Sequence, residues 1–250
     1  MGSTVCRAVH DAPDMELVAA VDPHHAGIDL HQLGVHGTQI QVAAKPSALA
    51  DADVEVAVDF TVADAARDNL RWCAAEGVHA VVGTTGLAEE EVLDLAEMFG
   101  RGRANAVIAP NFAIGAVLMI RFAELAAPYF ESAEVIELHH DQKADAPSGT
   151  AMTTAQRIAA ASKEWAEDPT RTVAAEGARG GLVDGIPVHS VRLRGIVAHQ
   201  EVLLGTTGQS LSIRHDSYDR ASFMPGVLLA VRKVRETPGL TVGLDQLLGL

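Results

Sequence analysis

Val54-Glu55-Val56-Ala57-Val58 runs into Asp59-Phe60-Thr61; a helical pattern covers 62–76; Val78-His79-Ala80-Val81-Val82 then runs into Gly83-Thr84-Thr85-Gly86. The two runs are short, rich in Val and Ala, and stop at turn residues. Such runs suit strands covered on both faces, and strand–helix–strand repetition builds a parallel sheet with crossover helices. Working outward, Ala106-Val107-Ile108-Ala109 ends in Pro110-Asn111-Phe112 and Leu17-Val18-Ala19-Ala20-Val21 ends in Asp22. Further helical patterns lie at about 2–11 and 88–99. The stretch 23–53, with its Gly, His and Gln, reads as a surface excursion.

The second half of the chain changes character. The spacing predicts helices over 113–127 and 148–161, a strand over 132–140, and strands near 187–197, 200–206 and 210–215. A last helix at about 222–235 and the tail 238–250 return to the first domain. The expected fold class is α/β: a Rossmann-like, doubly wound parallel sheet, with a second α+β domain built on a mixed or antiparallel sheet. The domain boundaries are 1–110 with 222–250, and 111–221.

Composition bounds the function. Of the 250 residues 48% are hydrophobic and 21% charged, which excludes disorder as the main theme. Lys and Arg number 19 against 33 Asp and Glu, a net charge of −14. That argues against nucleic acid or an anionic membrane as partner. Aromatic content of 4% leaves little for base stacking. Cys6 and Cys73 are the only cysteines, so there is no disulfide framework; both read as buried, reduced thiols. No apolar run is long enough to span a bilayer and no signal peptide is visible, so the expected location is cytoplasmic.

Ligands of open parallel sheets bind at the carboxyl ends of the strands. Asp22 suits ribose hydroxyls, and Gly83 to Gly86 lets a cofactor approach the backbone closely. The richest segment is Glu137-Leu-His139-His140-Asp-Gln-Lys143-Ala-Asp145-Ala-Pro147-Ser148-Gly149-Thr150-Ala151. Two histidines and a lysine follow a strand; Ser148 then caps a helix whose first N–H groups, at Gly149 and Thr150, form an anion site. Cations, an imidazole and a carboxylate receptor in one loop suit a small dicarboxylate that receives a proton. Structural histidines, a bare helix cap and a metal site compete with this reading. The anion site ranks first and metal well below it, because no H-x-x-x-H or HExxH spacing occurs.

That segment resembles the signature of the 4-hydroxy-tetrahydrodipicolinate (dihydrodipicolinate) reductase family. Val82-Gly-Thr-Thr-Gly86, Ala109-Pro-Asn-Phe-Ala-Ile-Gly115, Gly177-Ala-Arg-Gly180 with Asp184-Gly-Ile-Pro-Val-His189, Arg214-His-Asp-Ser217 and Phe223-Met-Pro-Gly226 resemble other family blocks in the right order. The resemblance implies a two-domain enzyme of diaminopimelate and lysine biosynthesis, using NADH or NADPH on a small dicarboxylate, and assembled as a homotetramer. Carried over by position, His139 is the proton donor and Lys143 its cationic partner. His140, Gly149 and Thr150 hold the substrate carboxylates. Gly83, Thr84 and Thr85 contact the nicotinamide side, Ala109, Pro110, Asn111 and Phe112 lie at the hinge beside the cofactor, and Asp22 is the ribose acid. No metal is implied. Asp22 disfavours a 2′-phosphate by charge, which leans the preference to NADH or to dual use.

One departure stands out. The family begins with a strand and a Gly-x-x-Gly-x-x-Gly loop, whereas this chain opens Met1-Gly2-Ser3-Thr4-Val5. The expectation is an N-terminally incomplete domain that binds cofactor poorly. Two alternatives stay open: another NAD(P)-dependent dehydrogenase of similar architecture, and a cofactor-deficient fragment of the reductase.

Overall fold

A computed structural model describes residues 1–250, the side chain of Asp51 apart. The chain divides into two compact units, Met1–Phe112 with Phe223–Leu250, and Ala113–Ser222.

The first unit holds a wholly parallel sheet of β1 (Val56–Asp59), β2 (His79–Val82), β3 (Ala106–Ile108) and β9 (Leu240–Val242), in the order β1-β2-β3-β9. Helices α1 (Gly2–Asp11), α2 (Ala63–Glu76), α3 (Glu89–Arg101), α6 (Met224–Lys233) and α7 (Asp245–Leu248) belong to the same unit. Side chains of α2 and α3, namely Ala66, Leu70, Leu95 and Phe99, close over Ala80, Val82, Ala106 and Ile108. α2 stops at Gly77, whose φ of 77° is the left-handed conformation a helix end favours and a side chain resists. α3 begins with Glu89, Glu90 and Glu91 at the positive end of its dipole, and Glu91 accepts a hydrogen bond from the Ala88 N–H at 2.8 Å. Arg67 of α2 reaches the same Glu91 at 2.6 Å and ties the two helices.

Four sequence expectations change here. Residues 17–21 do not form a strand: the only ladder contact is the single bridge Val21↔Ala43, and one bridge does not fix an extended segment. The stretch 23–53 is more than a surface excursion. It has its own small core, in which Leu30, Val35 and Val42 are buried with Leu17, Ala20 and Ile40 packed around them. Of the two thiols expected to be buried, Cys73 is buried, and burial together with the nearby Asp59 charge pushes it up to about 12, whereas Cys6 is only half-buried. The tail also adds a strand that its short apolar run did not announce. β9 completes the sheet beside β3.

The second unit is a five-stranded mixed sheet of β4 (Ser132–His139), β5 (Gly181–Val183), β6 (Ile186–Arg192), β7 (Ala198–Thr206) and β8 (Gln209–Ser217), in the order β5-β6-β4-β7-β8. β4 and β6 are parallel; every other pairing is antiparallel. Helices α4 (Ile114–Ala126) and α5 (Gly149–Ala161) bury Met119, Ile120, Ala123, Ala151, Ala155 and Ile158 against Ala133, Val135, Val188, Val202 and Leu204. The run expected at 187–197 is cut at Arg192, and the chain turns before β7 begins at Ala198. That break sets the site, because it pairs His139 with Arg192 on one side and with Ala198 on the other.

Among the described residues, no helix is long and apolar enough to cross a membrane.

Candidate active site

In the second unit the candidate residues follow one another on the turn that joins β4 to α5. β4 alternates, so Ala133, Val135 and Glu137 face the core. Glu137 is thereby a fully buried carboxylate. It survives because it is saturated with donors. Arg192 grips it end-on, Nη1 to Oε2 at 2.8 Å and Nη2 to Oε1 at 2.9 Å. The Ser148 N–H donates to Oε1 at 3.2 Å, and His139 Nδ1 lies 2.5 Å from Oε2. Burial pushes the Glu137 carboxyl up, but the hydrogen bonds from Arg192, Ser190 and His139 outweigh it and hold the group below the usual carboxylate range. Leaving such a carboxylate without its guanidinium costs about 3–5 kcal/mol.

His139 is half-buried at the end of β4. Desolvation pushes its imidazolium down, Glu137 pulls it up, and Lys143 and Arg192 push it down again; the net shift is downward. His140 is exposed, and its N–H donates to the Val197 carbonyl at 3.2 Å. The Lys143 N–H then closes a turn onto the His140 carbonyl at 3.2 Å. Lys143 Nζ lies 2.8 Å from Asp145 Oδ1, and that bond holds Asp145 below its usual pKa. Arg192 Nη2 also donates to the Asp145 carbonyl at 2.5 Å, so one guanidinium pins both the buried carboxylate and the lysine loop.

Ser148 is the N-cap of α5, its Oγ accepting from the Ala151 N–H at 3.2 Å. Gly149 and Thr150 therefore occupy the first helical turn, at the positive end of the helix dipole. A Cβ on Gly149 would meet nothing within 4 Å, so no internal packing demands glycine there. Open space over a helix N-terminus, beside an imidazole and a lysine, suits an incoming carboxylate.

In the first unit the strand ends converge around Asp59, a buried carboxylate to which sequence reasoning gave no role. It accepts from the Thr61 N–H and Oγ1 at 2.8 Å, from Asn69 Nδ2 at 2.7 Å and from Thr84 Oγ1 at 3.1 Å. Gly83 is forced by packing. A Cβ there would lie 2.1 Å from Cε1 of Phe60, whose ring tilts against Phe112 with centroids 5.6 Å apart. Ala109 N–H donates to the Val82 carbonyl at 2.9 Å, which brings Ala109 to Phe112 alongside Gly83 to Thr85. Pro110 and Thr85 are exposed, Asn111 half-buried and Thr84 buried. Asp22 lies outside that ladder. Its carboxylate accepts from the His24 N–H at 2.8 Å and lies 2.8 Å from His25 Nδ1, and these contacts outweigh desolvation to keep it ionised below its usual value. An ionised carboxylate at Asp22 has the chemistry that ribose hydroxyls call for, and the lean turn at Gly83 leaves backbone open to a flat ring. Among the described residues, no group of three or more His, Cys, Asp or Glu is arranged to hold a metal ion.

Family models match both halves: residues 1–112 match "Dihydrodipicolinate reductase, N-terminus" and residues 115–248 match "Dihydrodipicolinate reductase, C-terminus". The chain belongs to the dihydrodipicolinate reductase family. Within it, the 4-hydroxy-tetrahydrodipicolinate reductase of Mycolicibacterium vanbaalenii is 53% identical over 252 residues, covering 100% of this chain and 95% of that protein. The Corynebacterium urealyticum reductase is 48% identical over 254 residues, with the same shares covered. The dipicolinate-bound dihydrodipicolinate reductase of Paenisporosarcina sp. TG-14 is similar in structure, with a TM-score of 0.85 and 41% identity over 98% of this chain and 94% of that one. An amine dehydrogenase from Mycobacterium smegmatis, at 14% identity and a TM-score of 0.63, shares the fold alone.

Sequence reasoning missed Glu137 and Arg192 as a pair. Glu137 opens the quoted signature, but Arg192 is 55 residues away and reaches it only through the β4–β6 pairing.

Proposed function

We infer that this chain reduces 4-hydroxy-tetrahydrodipicolinate to tetrahydrodipicolinate on the diaminopimelate route to lysine. The balance is substrate, NAD(P)H and one proton giving product, NAD(P)⁺ and water. When bound, the reduced nicotinamide supplies the hydride. The first unit is assigned to it: Asp22 to the ribose hydroxyls, and Gly83, Thr84, Thr85 and Ala109 to Phe112 to the nicotinamide side. The second unit is assigned to the dicarboxylate: the first turn of α5 at Gly149 and Thr150, with His140, binds the carboxylates. His139 gives the proton that the reduced ring needs, and Lys143 supplies positive charge beside it. The observation that carries this reading is the β4–α5 turn, where an imidazole, an ammonium and a capped helix N-terminus lie on one short loop.

The test is to follow oxidation of NADH, then NADPH, by the chain with freshly generated 4-hydroxy-tetrahydrodipicolinate. Turnover with this substrate is expected. Cofactor binding without turnover would favour a different dehydrogenase. The Asp22 carboxylate repels a 2′-phosphate, so the lower KM is expected with NADH. The cytoplasm is the assigned compartment. A homotetramer joined through the second unit's sheet is the assigned assembly; it is supported by the exposed outer strand β8 and by Leu182, which is 73% exposed on β5. A monomer in sedimentation would remove that assembly.

Gly149→Ala separates binding from folding. The new methyl has space, so the melting temperature should not fall. It would stand where a carboxylate approaches the helix N-terminus. Loss of one hydrogen bond to a charged group, about 1.5–3 kcal/mol, corresponds to roughly 10- to 100-fold in kcat/KM for the dicarboxylate. Unchanged kinetics in this variant would remove the anion-site assignment.

A further inference from the structure

We propose that Glu137 and Arg192 form a buried positioning pair that sets the tautomer of His139, so that Nε2 alone exchanges a proton with substrate. The inference rests on the reductase reading for its kinetic part only. Four facts carry it. Glu137 is fully buried, so its oxygens are served by protein donors rather than bulk water. His139 Nδ1 is 2.5 Å from Oε2, and an ionised carboxylate only accepts; Nδ1 therefore carries hydrogen in both the neutral and the protonated ring. Arg192 holds both carboxylate oxygens from β6, which keeps the group charged and its plane fixed. The Ser148 N–H is bonded to the same carboxylate, and the Asp145 carbonyl to the same guanidinium. One ion pair thus orients the proton donor, the lysine loop and the cap of the carboxylate-binding helix together.

In the proton step the Nε2–H bond breaks and its electron pair stays on nitrogen. A C–H bond forms with the electron pair that hydride addition leaves on the ring. The product imidazole is then the Nδ1–H tautomer, which keeps its bond to Glu137. The donor is recharged from solvent at Nε2 without turning over.

The charged groups facing His139 are Glu137 on its own strand, Arg192 from β6 and Lys143 from the loop, with Asp145 paired to Lys143. Glu137→Gln leaves two cations against the imidazolium and no anion in contact with it. The imidazolium then loses its proton at lower pH, so the alkaline limb of the kcat profile moves to lower pH. At the wild-type optimum kcat falls about 100-fold, the lower end of what a positioned general acid contributes, while the KM for NADH is unchanged. A merely structural role would reduce stability and leave that limb where it was.

Nitrogen-15 NMR of histidine-labelled enzyme needs no substrate, and the His139 signals are assigned among the eleven histidines by their loss in His139→Gln. The neutral His139 ring is expected to carry its proton on Nδ1. A neutral Nε2–H tautomer overturns the proposal, and so does a folded Glu137→Gln enzyme with the wild-type limb and kcat. If that variant does not fold, the tautomer decides alone. If the wild-type chain folds yet fails to turn over 4-hydroxy-tetrahydrodipicolinate, the reductase reading falls while the tautomer result still stands or falls by itself.

Discussion

Replacing His139 by Gln is expected to lower kcat by on the order of 10²- to 10⁴-fold, the range a positioned general acid supplies. The KM for the dicarboxylate is expected to stay close to its wild-type value. In the proposed function the imidazole has a proton to deliver and the carboxylates are assigned to His140 and the first turn of α5, which the substitution leaves in place. The introduced side-chain amide would still reach Glu137 with an N–H, so the buried carboxylate stays served and the fold is preserved. Residual turnover draws its proton from solvent and should rise as pH falls, whereas the wild-type rate follows the ionisation of His139. Steady-state kinetics across pH, beside a cofactor titration, measure both halves of the claim. A His139→Gln enzyme with undiminished kcat would strip His139 of its role as proton donor.

Gly226→Ala is expected to be the most destabilising single methyl addition in the first unit. Gly226 is buried in α6, directly after Pro225. A Cβ there would lie 2.0 Å from the Phe112 carbonyl oxygen, 3.0 Å from its carbon and 3.1 Å from Leu244 Cδ1. Real Cβ atoms do not approach that closely, and the obstacle is backbone, which cannot rotate away. Two effects oppose each other. Alanine in a helix interior gains about 0.5–1 kcal/mol over glycine, an upper bound here because Gly226 is in the first turn of α6. Forcing a methyl into a packed core costs about 1–3 kcal/mol, and here the high end applies because a main chain must move. The steric term wins by about 2 kcal/mol, which is roughly 4–8 °C in melting temperature for a chain of this size. Displacing Phe112 also disturbs its contact with Phe60, so a raised KM for NADH should accompany the lower melting temperature. Calorimetry and cofactor titration read the two effects separately. Gly149→Ala is the control, since the same substitution meets open space there and should cost no stability.

Much of this protein was legible in the order of its residues. Short Val/Ala runs ending in turn residues announced β1, β2 and β3, because a strand covered on both faces tolerates little else. The β4–α5 turn was legible too, since a strand, two histidines, a lysine and a Ser cap sit within one local stretch and need no distant partner to be recognised. Leu17–Val21 carried the same composition as the true strands but lacks their neighbours, and strandhood depends on a hydrogen-bonding partner that no local pattern contains. β9 is the converse case: three residues with a weak pattern become a strand because β3 offers them a free edge.

Residue chemistry along the chain thus determined the two-part architecture, the family and the loop that carries His139. Only the tertiary structure decided what faces that imidazole. Arg192 meets Glu137 because β6 runs parallel to β4 in one particular register, and Asp59 gathers Thr61, Asn69 and Thr84 because the ends of β1 and β2 meet the middle of α2. Burial gives those carboxylates their meaning: the same Glu in water would set no tautomer, whereas in a dry core its charge must be answered by named donors at fixed positions.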